Sequence, residues 1–257
     1  MEQITDYKLL LDTAVLAGQL MLRNGAEIYR VEDTIHRILR VSGFKTTEAY
    51  VTSTGLIVTL DDPGFDSMTV VKRIHERDTD LDKITRVNMI SRQFCAGEMT
   101  LKEAFHELKY MTESPYSLLQ RDICIVIVAA AFALLLGGTP YDALGAGIDG
   151  ALLVLFQHLS ARVRLNGFMQ TMASSVVIAL GALILSYIPG NTMNVDMIII
   201  GAIMPLVPGA ALTTAIRDTL QGDYVAGSAK LLEAFIKAIA IAVGVGVGMI
   251  LLGGIGQ

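Results

Sequence analysis

The sequence predicts a membrane all-α fold of about five transmembrane helices, preceded by an α+β cytoplasmic domain. Three observations predict it. The 257-residue chain is 53% hydrophobic and has a mean hydropathy of +0.54, above an ordinary soluble domain. Its charge is unevenly divided: 33 of the 45 Lys, Arg, Asp and Glu residues fall in residues 1–121 (15 basic, 18 acidic) and 12 in the remaining 136. After that break come five apolar stretches, each near the length that crosses about 30 Å of hydrocarbon at ~1.5 Å per residue. Residues 1–118 can therefore be solvated by water, whereas 119–257 need lipid.

Composition also excludes several classes. A net charge of −5 leaves no basic stripe to neutralise phosphates, which argues against a nucleic-acid partner. Cys95 and Cys124 lie too far apart for a metal or disulfide pattern and are expected as buried apolar residues. The first residues lack the basic-then-apolar layout of a signal peptide, so the first domain is expected in the cytoplasm. No glycine-rich phosphate loop, H-E-x-x-H or G-x-S-x-G occurs, and His36, His75 and His106 stand apart. No cofactor and no enzymatic centre are expected. The one enzyme alternative, a membrane-anchored hydrolase, would have to use Ser53 or Thr54 beside a histidine.

In the first domain, Leu9, Leu10, Ala14, Leu16, Ala17, Leu20 and Met21 fall at helical spacing over residues 5–23. Asn24-Gly25 stops that helix, since both residue types tolerate a left-handed cap. A second helix carries Ile28, Val31, Ile35 and Ile38 and ends near Ser42-Gly43. Residues 46–60, rich in Thr, Val, Tyr and Ile, predict a strand. Asp61-Asp62-Pro63-Gly64 then turns the chain into a second strand over 67–74, completing a hairpin. Asp80 caps a helix through Cys95 ahead of Gly97, and Thr100 with Glu103 forms a capping box for a last helix to about Met111.

In the second domain the predicted spans are 123–138, 142–160, 168–188, 196–216 and 231–253. Arg121, Arg162, Arg164, Arg217 and Lys230 fall in loops on one side, whereas the loops around Thr139 and Asn191 carry no Lys or Arg. By the positive-inside rule the N-terminal domain is cytoplasmic, the membrane is the cell (inner) membrane, and the C-terminus is outside. Gly145, Gly147 and Gly150 in the second span and Gly244, Gly246 and Gly248 in the fifth are packing signals.

Polar groups in lipid are costly and so mark function. Asp149 lies mid-span among glycines; it is either a proton-coupling carboxylate or sits near the outer interface on a shifted helix. Lys237 follows Glu233 by four residues, a favourable helix pair, and otherwise snorkels or meets Asp149. Pro205-Leu206-Val207-Pro208-Gly209 must kink or open the fourth span, and an opened helix presents free carbonyls and a half-helix N-terminus to an ion or carboxylate. Thr213 follows one turn later as a further candidate ligand. In the first domain, Glu27 and Arg30 form either a local ion pair or, with Glu32, a cluster that docks onto Arg162, Arg164 or Arg217.

Gly25-Ala26-Glu27 with Arg30-Val31-Glu32, Arg86 with Asn88, Pro205-Leu206-Val207-Pro208-Gly209 and Asp218, in this order along the whole chain, resemble the threonine/serine exporter family (ThrE type). Single-chain members have about ten spans, so the five here resemble the large subunit of the split form. The resemblance implies a small membrane partner or a homo-oligomer, and export of a small carboxylate solute: threonine and serine, or a dicarboxylate such as succinate. A regulatory or scaffolding subunit without transport of its own is the remaining alternative. The family's soluble domain has been likened to hydrolases, which these residues do not support.

Overall fold

The computed structural model describes residues 6–75, 77–111, 116–163, 165–188 and 192–253. In chain order the elements are α1 (Tyr7–Arg23), α2 (Ile28–Leu39), β1 (Thr46–Thr52), β2 (Gly55–Asp62), β3 (Phe65–Arg73), α3 (Leu81–Ala96) and α4 (Leu101–Lys109). Then follow α5 (Leu118–Leu135), α6 (Pro140–Ser160), α7 (Gly167–Ser186), α8 (Val195–Ile203), α9 (Gly209–Leu220) and α10 (Tyr224–Gly253). Two compact units result. The first holds the described residues up to Met111 together with Gly209–Leu232; the second holds Tyr116–Pro208 and the chain from Glu233. The sequence reading puts all of 119–257 in the membrane domain. The structure instead packs the segment Gly209–Leu232 with the N-terminal elements, and Ala226 enters their core.

The first unit is built around α1, whose apolar face is too wide for a surface helix: Leu10, Leu11, Ala14, Val15, Ala17, Met21 and Leu22 are all buried. Asp6 starts it by accepting the Leu9 N–H at 2.9 Å. Gly25, at φ 88°, turns the chain into α2, where any Cβ would also stand 3.2 Å from the Asp78 carbonyl oxygen. The sheet differs from the predicted hairpin. It is a three-stranded antiparallel meander, because the chain reverses at Ser53-Thr54 and divides the single strand expected over 46–60. The β-formers continue through the reversal, so composition alone does not reveal it. Leu56, Val58 and Leu60 alternate onto the core, while Tyr50, Ile57 and Val71, paired across the strands, face outward. Asp80 caps α3 and the Thr100–Glu103 capping box starts α4.

In the second unit, small residues let the helices approach closely. A Cβ on Gly201 of α8 would stand 2.6 Å from the Ala129 carbonyl oxygen of α5, and one on Gly248 of α10 would stand 2.6 Å from Ala179 of α7. Leu153, Ile178, Ala179, Ala182, Ile198, Ile199 and Ala202 form the central apolar cluster. Among the described residues, four helices are long and apolar enough to cross a membrane: α5, α6, α7 and α10. A fifth span exists only if Val195–Leu206 and Gly209–Leu220 are counted together. The predicted 196–216 helix is thus broken, and its second half, α9, belongs to the first unit. The expectation of buried cysteines also fails: Cys124 is exposed on α5, and Cys95 is half-buried with its thiol donating to the Arg37 carbonyl at 3.4 Å. A hydrophobic residue in a lipid-facing helix need not face the protein.

Candidate functional site

Three features bring the sequence candidates together or apart. In the first unit, the beginning of α2 meets the end of α9. Asp218 is fully buried, and both of its oxygens are satisfied. Oδ1 accepts the Ile28 N–H at 2.9 Å, one of the amides that a helix N-terminus leaves unpaired. Oδ2 accepts from the Lys230 ammonium at 2.6 Å, and Lys230 also donates to the Ala26 carbonyl at 3.1 Å. An anion at a helix N-terminus is further favoured by the helix dipole.

Beside this pair, Glu27 stands at the N-cap of α2 and accepts from Arg217 at 2.7 Å, while Arg30 approaches its other oxygen at 3.3 Å. Burial alone would push the Glu27 carboxyl up. Hydrogen bonds from its own backbone and from Arg217, with the charges of Arg30 and Arg217, outweigh this and hold it below its ordinary value. Glu32 instead accepts the Val51 N–H of β1 at 3.1 Å. Its carboxyl is pushed up, first by burial and then by the charge of Asp223. The acidic cluster therefore meets Arg217 through Glu27 rather than Glu32. Arg164 lies outside the described residues.

Arg86 and Asn88 lie half-buried on α3, and the Asn88 carbonyl accepts from the Ser91 hydroxyl at 2.9 Å. The sequence reading missed Lys230 as a functional neighbour and counted it only as a loop charge. The signal was there: Arg217, Asp218, Asp223 and Lys230 are four of the few charges in an otherwise apolar half.

The second feature is the interruption between α8 and α9. The α-helix ends at Ile203, and Met204–Leu206 tightens to a 3-10 turn with Pro205 near its start, where a missing N–H costs least. Val207 is extended, at φ −65° and ψ 127°, the conformation that the following Pro208 imposes on it. Gly209 opens α9 and is exposed. Thr213 is also exposed, and its hydroxyl bonds back to the Ala210 and Gly209 carbonyls at 2.9 and 3.2 Å.

The third feature is Asp149. It is fully buried at the middle of α6, and neither oxygen has a hydrogen-bond partner among the described residues. Gly181 of α7 faces it, and a Cβ there would collide with its Oδ1. Lys237 does not bond to Asp149; its ammonium lies 3.5 Å from Glu233, four residues earlier.

The family model ThrE, described as "Putative threonine/serine exporter", matches residues 12–252. No curated protein and no solved structure matches the chain. The matched region contains the α2–α9 charge cluster, the proline-interrupted helix and Asp149 alike. On that near-complete match the chain belongs to the threonine/serine exporter family, a family of transporters rather than enzymes.

Proposed function

We propose that this chain is an inner-membrane subunit of a secondary exporter of small carboxylate-bearing solutes, either threonine and serine or a dicarboxylate such as succinate. The observation that carries the reading is the interruption at Pro205–Gly209 within an otherwise apolar helical stretch. An opened helix exposes unpaired amides and carbonyls, the groups with which carriers hold a carboxylate and its companion ion. Lys237 and Thr213 are subsidiary candidates. With Val195–Leu206 and Gly209–Leu220 counted as one broken span, the reading includes a small membrane subunit of the same family or a second copy as partner. The distribution of Arg121, Arg162, Arg164, Arg217 and Lys230 supports a cytoplasmic N-terminal unit and an external C-terminus.

The test is efflux of labelled threonine, serine and succinate from cells expressing wild type or Pro205→Ala/Pro208→Ala. The double variant restores helical propensity across the break and is expected to insert normally yet lose flux. Undiminished efflux would reduce the motif to a passive kink. Purified single copies that transport at full rate in liposomes would remove the need for a partner.

A further inference from the structure

We propose that Asp149 is the proton-binding group through which efflux is coupled to a proton gradient. The proposal rests on the transport reading above and adds the coupling ion and its site.

Asp149 has no exposed surface, and both carboxylate oxygens are without hydrogen-bond partners among the described residues. Leaving an ionised carboxylate so placed costs several kcal/mol even after relaxation. A residue type that expensive survives in a packed helix when its charge is needed only part of the time.

The surrounding elements offer it no counter-charge. α7 carries no ionisable residue. On α5, Arg121 is exposed and Asp122 is paired with His158 at 2.9 Å. On α8, Asp196 is exposed in the first turn. On α6 itself, Asp142 is occupied by the capping box with Thr139 and by the Asn194 N–H at 2.5 Å. On α10, Glu233 and Lys237 face each other.

Those same neighbours decide which cation fits. A metal ion of the hard class needs about six oxygen ligands. Here a single carboxylate meets Gly181, with Leu152 beside it, and the described residues hold no cluster of three His, Cys, Asp or Glu side chains. A proton needs one oxygen and no further ligand. It adds to a carboxylate oxygen from the outer water, leaves a neutral carboxyl that requires no counter-ion, and departs to the inner water. No other bond forms or breaks.

The experiment uses the full chain in everted membrane vesicles, with labelled serine and labelled succinate as probes. The readout is the ratio of flux with an imposed pH gradient to flux without one. Wild type is expected to be stimulated severalfold, Asp149→Glu to keep part of the stimulation, and Asp149→Asn to fall to unity. A wild-type ratio in Asp149→Asn overturns the proposal. Wild-type vesicles that move neither solute count against the transport reading instead. In that case, or if Asp149→Asn moves nothing, the acid-minus-alkaline infrared difference spectrum of the purified chain decides. A protonated-carboxyl band present in wild type and missing in Asp149→Asn supports proton binding at this residue; identical spectra refute it.

Discussion

Asp218 in the first unit and Asp149 in the second are the same residue type at the same complete burial, yet their surroundings treat them in opposite ways. Asp218 has a helix N-terminal amide on one oxygen and an ammonium on the other. Asp149 has a glycine opposite and no hydrogen bond among the described residues. The first carboxylate ties two sequence-distant segments together through its partners. The second has been given no such partner among the described residues. Burial by itself therefore says nothing about role; the difference lies in the partners.

The largest expected effect breaks the compensated site. Lys230→Met leaves Asp218 buried and unpaired, a change that typically costs about 3–5 kcal/mol. Asp149→Asn removes a charge that has no partner, and is expected to leave the thermal midpoint unchanged or higher. The double variant Asp218→Leu/Lys230→Met should recover most of the loss, because replacing a whole buried pair by apolar side chains is often neutral. Equal midpoints for Lys230→Met and Asp149→Asn would dissolve the comparison.

A smaller effect sharpens it from the glycine side. Gly181→Ala pushes a methyl into the Asp149 carboxylate, and overpacking of this kind costs about 1–3 kcal/mol. Gly246→Ala, with nothing within 4 Å of its added carbon, should be silent in the same melting assay. If both substitutions are silent, the space around Asp149 is looser than the packing implies.

The smallest effect concerns two glutamates on α2 whose signs differ. Glu27 is held below its ordinary value of 4.5, so the stability it contributes is complete above that pH and is lost as pH falls through its lower folded value. Glu32 is held above 4.5, so the folded state is favoured while Glu32 is protonated and that advantage is lost as pH rises through the same region. Glu27→Gln should flatten the acid limb of a stability–pH profile, and Glu32→Gln should raise stability at neutral pH. Arg217 is 60% exposed, so the Glu27 pair is screened and its effect should stay below about 1 kcal/mol. An acid limb in Glu27→Gln as steep as in wild type would show that the pair contributes nothing.

Helix starts and stops were legible in the residues. Asn24-Gly25, Gly43, Asp80, Gly97 and the Thr100–Glu103 box all act where local chemistry places them, since a cap needs only its own few neighbours. Of the five apolar runs, four are continuous helices long and apolar enough to cross a membrane among the described residues, because hydropathy is a sum over one segment. Pro205 and Pro208 announced the interruption, because proline acts on its own backbone and on the residue before it.

Tertiary structure alone decided where the charges went. Glu27 and Arg217 are 190 positions apart, Ala26 and Lys230 are 204 apart, and no local pattern joins them. The apolar run over 196–216 looked like one membrane helix, yet its latter part packs with the N-terminal unit, where Arg217, Asp218 and Lys230 find their partners. Sequence marked Asp149 as costly, while only packing could show that no hydrogen bond among the described residues offsets it, because solvation depends on every neighbour in space and not on those along the chain.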